Sequence, residues 1–385
     1  MPRLFATCLI MAALILIGCK REAGTTVASD KISIGEYGSM TGTEATFGLS
    51  THEGIMLAVD QINSGGGVLG KKIEIISEDD QGSQDEAVTV VKKLINRDHV
   101  SAILGEVASS NSLAGGAVCQ NAQIPMISPS STNPSVTKDK DYVFRTCFTD
   151  DFQASVGAQF GTKQGWKNVA LLTAVDSDYS KGLAKFFRET FTGAGGTLVA
   201  DESYSKGDRE FRAQLTKIKA ANPDAVYLPG YYTQIGLILR QARDLGLNCP
   251  FFGGDGWDSE ETLKLGSIAN GCYFTNHYSP DETRPEVQAF VSAYEAKYKN
   301  PDGSPKVPDA MAVTGYDAAR VLADSIKRAG STDSKPLRDA IASTKDFPGA
   351  SGIITIDENR NARKPIIILE IRDGKTRIAD TIQPK

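Results

Sequence analysis

Histidine is scarce in this chain, with three in 385 residues: His52, His99 and His277. None has a partner at metal-ligand spacing, which leaves zinc chemistry and histidine-based catalysis without a scaffold. His52 falls in a helical period and is expected to be an exposed helix residue. Basic runs are also missing. Lys and Arg total 42 against 47 Asp and Glu, a formal charge of -5, so the concentrated positive charge that a nucleic-acid partner requires is absent. There is no G-x-S-x-G, no H-E-x-x-H and no P-loop. An enzyme is not expected, and neither is a cofactor or a metal. The glycines at Gly65, Gly66, Gly67 and Gly70 formally match G-x-G-x-x-G, but they follow a helix and precede a strand. A dinucleotide site has the reverse order, so these glycines read as a helix end and turn.

What is present is ordinary globular material, 41% hydrophobic and 23% charged, in a length that suits two domains of roughly 150 residues. Leu4 to Ile17 is almost unbroken apolar sequence after Arg3, too short for the roughly 20 residues of a membrane-spanning helix and shaped like an export signal. It ends Leu16, Ile17, Gly18, Cys19, which resembles the bacterial lipoprotein box. On that basis 1–18 is a signal peptide, Cys19 carries lipid and anchors the chain to a membrane, and 19–30 is a flexible tether outside the cytoplasm. Four further cysteines, Cys119, Cys147, Cys249 and Cys272, then face an oxidising compartment, and an even number there suggests disulfides. Pairing Cys119 with Cys147 and Cys249 with Cys272 closes the shortest loops; buried free thiols are the other reading.

From Lys31 onward, short β-rich runs alternate with helical periods. Ile32 and Ile34 open a strand, and Ile55, Ala58, Val59 and Ile62 share one helix face. Ile73 to Ile76 is a strand, and Ser83 with Glu86 has the capping-box pattern at the start of the next helix. Ala102 to Leu104 and Ile124 to Ile127 continue the series. A second series follows Asp150, with strands at Val169 to Leu172, Ala225 to Leu228 and Cys272 to Phe274. Two such series predict two doubly wound α/β lobes built on parallel sheets. In these sheets ligands bind beyond the carboxyl ends of the strands. The polar and aromatic residues just after the strands are Phe47 in the long first loop, Ser109, Ser130 to Thr132, Tyr179, Tyr231 and Asp255. Hydroxyls, aromatics and one acid suit a small zwitterion. Ser109 opens a helix whose free N–H groups favour a carboxylate, and Asp255 can receive an ammonium group. Ser109 as a plain N-cap, and Asp255 as a cap for a helix near Ser259, are the alternatives.

With those residues in hand the chain, from Lys31 to about Lys385, resembles the leucine/isoleucine/valine-binding proteins of bacterial ABC importers. The resemblance rests on Ile62-Asn63 with the glycines to Gly70, Asp79-Asp80, Pro125 to Pro134 (PMISPSSTNP), Val143 to Phe148 (VFRTCF), Ile238 to Gly246 (ILRQARDLG) and Gly253 to Asp258 (GGDGWD). It implies a type I periplasmic-binding fold, two lobes joined by three crossovers near residues 149, 279 and 357. Lobe 1 would be 31–149 plus 280–356, and lobe 2 would be 150–279 plus 357–385. It implies a periplasmic or envelope receptor, expected to be a monomer, that closes on an aliphatic amino acid and delivers it to an inner-membrane ABC permease. Carried over residue by residue, Ser109 and Thr132 take the ligand carboxylate, Ser130 offers its carbonyl, Tyr179 and Tyr231 line the second lobe, Asp255 holds the ammonium and Phe47 covers the side chain. Gly82 and Ala108 stand where the best-known members have a cysteine pair, and Asp255 stands where many have Glu. An amide, urea or an aromatic or organic acid as ligand, or a sensor role on the same fold, are the alternatives.

Overall fold

The computed structural model describes residues 30–384. The signal peptide, Cys19 and most of the tether lie outside the described residues. The strands are β1 Lys31–Gly38, β2 Lys72–Asp79, β3 Ile103–Leu104, β4 Met126–Ser128, β5 Val143–Arg145, β6 Asn168–Ala174, β7 Thr197–Tyr204, β8 Ala225–Tyr227, β9 Phe251–Gly253, β10 Cys272–Asn276, β11 Phe347–Gly349, β12 Gly352–Ile356, β13 Ala362–Arg363, β14 Ile366–Arg372 and β15 Lys375–Ile382. They form a five-stranded sheet ordered β2-β1-β3-β4-β5, a seven-stranded sheet ordered β15-β14-β10-β9-β8-β6-β7, and a small sheet of β11, β12 and β13. The first sheet is parallel throughout, and β6 to β10 are parallel in the second. In both, the strand order reverses beside the first strand of the series, the geometry that opens a crevice at the strand ends.

Alternate strand residues face opposite helix layers, as the two-residue period of a strand requires. In the first lobe Leu104, Ile127 and Phe144 join the cluster under α1 (Ala45–Ser64) and α10 (Ala310–Ala329). Ile103, Met126 and Val143 face α2 (Gln84–Asn96) and α3 (Ser109–Ala122). In the second lobe Leu171, Tyr227 and Phe252 pack under α4 (Asp150–Lys163) and α5 (Asp178–Gly193), while Leu172, Val226 and Phe274 pack under α6 (Arg212–Ala220) and α7 (Tyr232–Asp244). α5 shows how the sequence does this. Ser177 caps it by accepting a hydrogen bond from the Ser180 N–H, and Leu183, Phe187 and Phe191 fall four apart on its buried face. The Phe187 ring stacks on Tyr227 with centroids 3.9 Å apart.

Several expectations are corrected. The second sheet is mixed: after the small sheet the chain enters it at Ile366, so β14 runs antiparallel to β10, and β15 returns beside β14 through a tight turn at Asp373 and Gly374, both with positive φ. Phe47 lies in α1 rather than in a loop, because the helix starts at Ala45. Ser83 is the N-cap of α2 but makes no side-chain cap bond. His52 is half-buried, with Nδ1 2.7 Å from the Glu36 carboxylate. The four cysteines are free thiols. Cys119 packs with Tyr37, Met126 and Val143, whereas Cys147 points to the Ser131 carbonyl at 3.4 Å; the two thiols occupy different surroundings. Cys272 accepts from the Arg243 guanidinium at 3.6 Å instead of bonding to Cys249. Burial pushes the Cys147 thiol up to about 12 and the Cys249 thiol up to about 11, which keeps both protonated and slow to oxidise.

Helices α1 and α10 cross closely over the first sheet at two glycines. A Cβ on Gly54 would lie 1.9 Å from the Ala312 carbonyl oxygen, and one on Gly315 would lie 2.5 Å from the Thr51 carbonyl oxygen. Gly54→Ala is therefore expected to lower unfolding free energy by about 1–3 kcal/mol, the usual size of an overpacking strain. Gly193→Ala, where an added methyl meets nothing within 4 Å, is expected to be neutral or stabilising by at most about 1 kcal/mol. Urea midpoints of the two variants check the contrast.

Candidate functional site

The residues singled out by their positions after strands do converge. Ser109, Ser130, Thr132, Tyr179 and Asp255 are each at most 3% exposed and Tyr231 is 6% exposed, although every one follows a strand and begins a loop or helix. Such burial in connecting segments requires polar partners, and their partners define the site.

On the first-lobe wall, the loop after β4 is pinned from below. The buried Arg145 guanidinium donates to the Ser131 carbonyl at 2.6 Å, the Asn133 carbonyl at 2.8 Å and the Thr137 hydroxyl at 3.2 Å. Ser131 N–H donates to the Ser128 hydroxyl at 3.0 Å. Ser130 and Thr314 share a hydroxyl contact of 2.6 Å, and the Ser109 hydroxyl accepts from the Asn133 N–H at 3.3 Å. The buried Thr132 hydroxyl makes no hydrogen bond of normal geometry among the described residues and lies beside the Asp150 carboxyl. Ser109 is the first residue of α3, with Ala108 at the N-cap position, so Ser109 is not a plain cap.

On the second-lobe wall, Asp255 is surrounded by donors. Its Oδ1 accepts from Gln153 Nε2 at 2.8 Å and from the Tyr179 hydroxyl at 2.9 Å, and its Oδ2 lies 2.9 Å from His277 Nε2. Gly256 N–H donates to the Tyr179 oxygen at 3.0 Å. The G-G-D-G run follows from crowding. A Cβ on Gly254 would sit 2.3 Å from both Gln153 Oε1 and the Tyr179 oxygen, and one on Gly256 would sit 2.8 Å from the Tyr231 ring. Asp255 does not cap the following helix; Ser259 does, accepting from the Glu261 N–H at 3.2 Å. A carboxylate offers about four lone-pair positions, so three donors leave one at Oδ2.

Gln153, His277 and Asp150 belong to this site and were missed in the sequence. Burial holds the His277 imidazole below its ordinary pKa, against the pull of Asp255. It stays neutral, with Nε2–H directed at the carboxylate and Nδ1 buried without a partner. Its ring stacks on Phe148 at 4.0 Å. Asp150 is fully buried, and neither oxygen has a hydrogen bond of normal geometry among the described residues; burial raises its pKa well above the carboxylate range, despite the nearby Thr132 hydroxyl. Helical spacing gave one usable signal, since Asp150 and Gln153 lie three apart on the helix directly after the VFRTCF run. His277 had none beyond its place at the end of a strand.

The two walls touch. Tyr179 and Tyr231 stack at 5.0 Å with planes 9° apart, and Phe47 meets Tyr231 and Tyr232 edge-on at 5.5 and 4.9 Å. Tyr232 donates to the Thr43 carbonyl at 3.0 Å, Ser110 donates to Asp178 at 2.9 Å, and Asn133 donates to the Asp178 carbonyl at 2.7 Å. Hydroxyls and a helix start in one lobe therefore face an acid and stacked tyrosines in the other, inside a shut cleft.

Two open sheets with their strand ends turned toward one closable crevice define the class of two-lobed solute receptors. Residues 31–376 match the family model for periplasmic binding proteins, and the chain belongs to that family. It is 39% identical to a leucine-binding protein of Thermotoga maritima, with a TM-score of 0.87 over 92% of this chain and 99% of that one. It is 36% identical to a branched-chain amino-acid transporter substrate-binding protein of Streptococcus pneumoniae, solved with isoleucine, with a TM-score of 0.86 over 92% and 100%. A Leu/Ile/Val-binding protein of Rhizobium johnstonii is 33% identical over 86% of this chain and 89% of its own.

The buried neutral His277 makes stability depend on pH. Its folded pKa lies below the unfolded value of about 6.5, so the unfolded chain binds the extra proton first and stability falls as pH drops below about 6.5. The melting temperature of wild type is expected to decline through that window by an amount that His277→Gln lacks, measured by calorimetry from pH 7.5 to 5.

Proposed function

We propose that this protein is an extracytoplasmic solute receptor that binds an aliphatic, branched-chain type α-amino acid between its lobes and passes it to an ABC permease. The observation that carries the reading is the opposed pair of half-satisfied groups: the Thr132 hydroxyl beside Ser109 at a helix start, buried with no hydrogen bond of normal geometry, and Asp255 with one open position. A zwitterionic head completes both. Its carboxylate takes donors from Ser109, Thr132 and nearby N–H groups, and its ammonium takes Asp255 Oδ2 and the Ser130 carbonyl. Charge-assisted bonds of this kind are strong once water is excluded. Tyr179, Tyr231 and Phe47 then surround the side chain. The names of the similar proteins from Thermotoga and Streptococcus, which bind leucine and isoleucine, support the same ligand class.

The lobes, 31–149 with 280–356 and 150–279 with 357–385, would hinge at three crossings, near residues 149, 279 and 357. The pairing of β13 with β12 supports taking the third a few residues later, at Lys364 and Pro365, with 357–363 then counted in the first lobe. Ligand contacts from both lobes select the closed form that the permease reads. We further propose acylation at Cys19 as the envelope anchor, a role that suits a described chain in which no helix is long and apolar enough to cross a membrane. The working form is a monomer without cofactor.

Titration calorimetry with the twenty amino acids and a set of amides and aromatic acids tests the reading. Asp255→Ala is expected to weaken amino-acid binding by about 30-fold or more, the effect of leaving a buried charge unpaired, while Phe47→Ala changes preference among side chains more than recognition of the head. Binding within about threefold of wild type in Asp255→Ala, well under that effect, would mean a ligand without an ammonium group. Cys19→Ser should leave precursor that takes up no labelled fatty acid.

A further inference from the structure

Among the described residues one ion pair crosses the cleft. Lys206, in the loop after β7, places Nζ 2.7 Å from Glu44 Oε1, at the residue that precedes α1 in the opposite lobe. The Glu44 side chain is 2% exposed and that of Lys206 is 28% exposed. Neither Glu44 oxygen has a hydrogen bond of normal geometry among the described residues, so Lys206 meets Oε1 as a charge partner. Its surroundings are acidic: Glu106 and Asp80 lie close by in its own lobe, and burial lifts the Glu106 carboxyl well above its ordinary range and that of Asp80 to about 6. Facing Glu44 from the other lobe are Tyr231, Tyr232 and Lys206. A buried carboxylate is strongly unfavourable unless a cation accompanies it. The second lobe brings that cation across the shut cleft.

The backbone around Lys206 is held for this. Its N–H donates to the Asp176 carboxylate at 3.0 Å, and its carbonyl accepts from Gln234 Nε2 at 2.7 Å. Its ammonium also lies 5.6 Å from the centroid of Tyr231, the ring that stacks on Tyr179. Lys206 thus touches both the charge that closure buries and the aromatic wall that lines the site.

We propose that Lys206 and Glu44 form an electrostatic latch across the cleft, making Lys206 a positioning residue that sets how slowly the bound solute leaves. This inference rests on the receptor reading above. The latch acts after the solute has entered, so it affects departure more than arrival. Either half-latch is worse than none, because a lone Glu44 is buried without its cation.

Stopped-flow binding of L-leucine to the full mature chain tests the latch. Lys206→Met is expected to speed dissociation by about tenfold or more, in line with removal of one partner of a desolvated pair, with the association rate within about threefold of wild type, since most interface changes act on departure. Lys206→Arg should keep wild-type rates. Adding Glu44→Gln to Lys206→Met should recover most of the loss, a rescue that simple loss of side-chain packing would not give. Equal dissociation rates in wild type and Lys206→Met, or no rescue in the double variant, overturn the latch. If wild type ignores leucine but binds another amino acid, that amino acid replaces it as probe. If it binds none of the twenty, the amino-acid reading fails separately. The latch is then judged with whichever amide or aromatic acid of the calorimetry set binds, by the same dissociation rates; equal rates in wild type and Lys206→Met overturn it.

Discussion

Removing the Asp255 carboxylate from water is the constraint around which the second lobe is arranged. An isolated buried carboxylate is severely unfavourable, so donors must be delivered to it from separate parts of the chain: Gln153 from α4, Tyr179 from α5 and His277 from the end of β10. Delivering them requires room, and Gly254 and Gly256 provide it by having no Cβ where the Tyr179 and Tyr231 rings pass. The result is an acid held in one orientation with one position open. Its geometry is rigid because all three donors stand on, or directly after, regular elements packed into the core.

The first lobe solves a different problem with the same economy of parts. Its serine- and threonine-rich loop must present hydroxyls and carbonyls to the cleft without collapsing, and Arg145 does this from underneath by taking carbonyls on either side of Thr132. A guanidinium, with five donors in a fixed fork, suits that role better than an ammonium. Between the lobes, Phe47, Tyr231 and Tyr179 form a continuous aromatic contact, and the Tyr232, Asp178 and Lys206 contacts rim it. Groups that line the cavity are consequently neighbours of groups that join the lobes.

Much of this was legible in residue order. Strand and helix periods located β1 to β4, β6, β8 and β10 but gave no range for the central strand β9, and the rule that ligands bind beyond strand ends picked out Ser109, Ser130, Thr132, Tyr179, Tyr231 and Asp255 before any fold was in view. Phe47 was identified with the wrong local structure, since no strong cap marks the start of α1 at Ala45. The edge strands β7 and β15 were not seen because their faces are half-exposed and polar, which weakens the apolar alternation. The cysteines misled because compartment and loop length say nothing about which side of a helix or strand a thiol faces.

Sequence alone determined the doubly wound lobes, the family resemblance and the candidate site residues at the strand ends, because these depend on local periodicity and on which residue follows which strand. Only the tertiary structure decided that His277 and Gln153 serve Asp255, that Asp150 lies beside Thr132, that the four thiols stay apart, and that Lys206 meets Glu44. Those relations join residues that are up to 162 positions apart, as Lys206 and Glu44 are by subtraction. Nothing in their immediate neighbours encodes them. They follow from the strand order that turns both sets of loops toward one cleft, where burial then forces each polar group to find its partner.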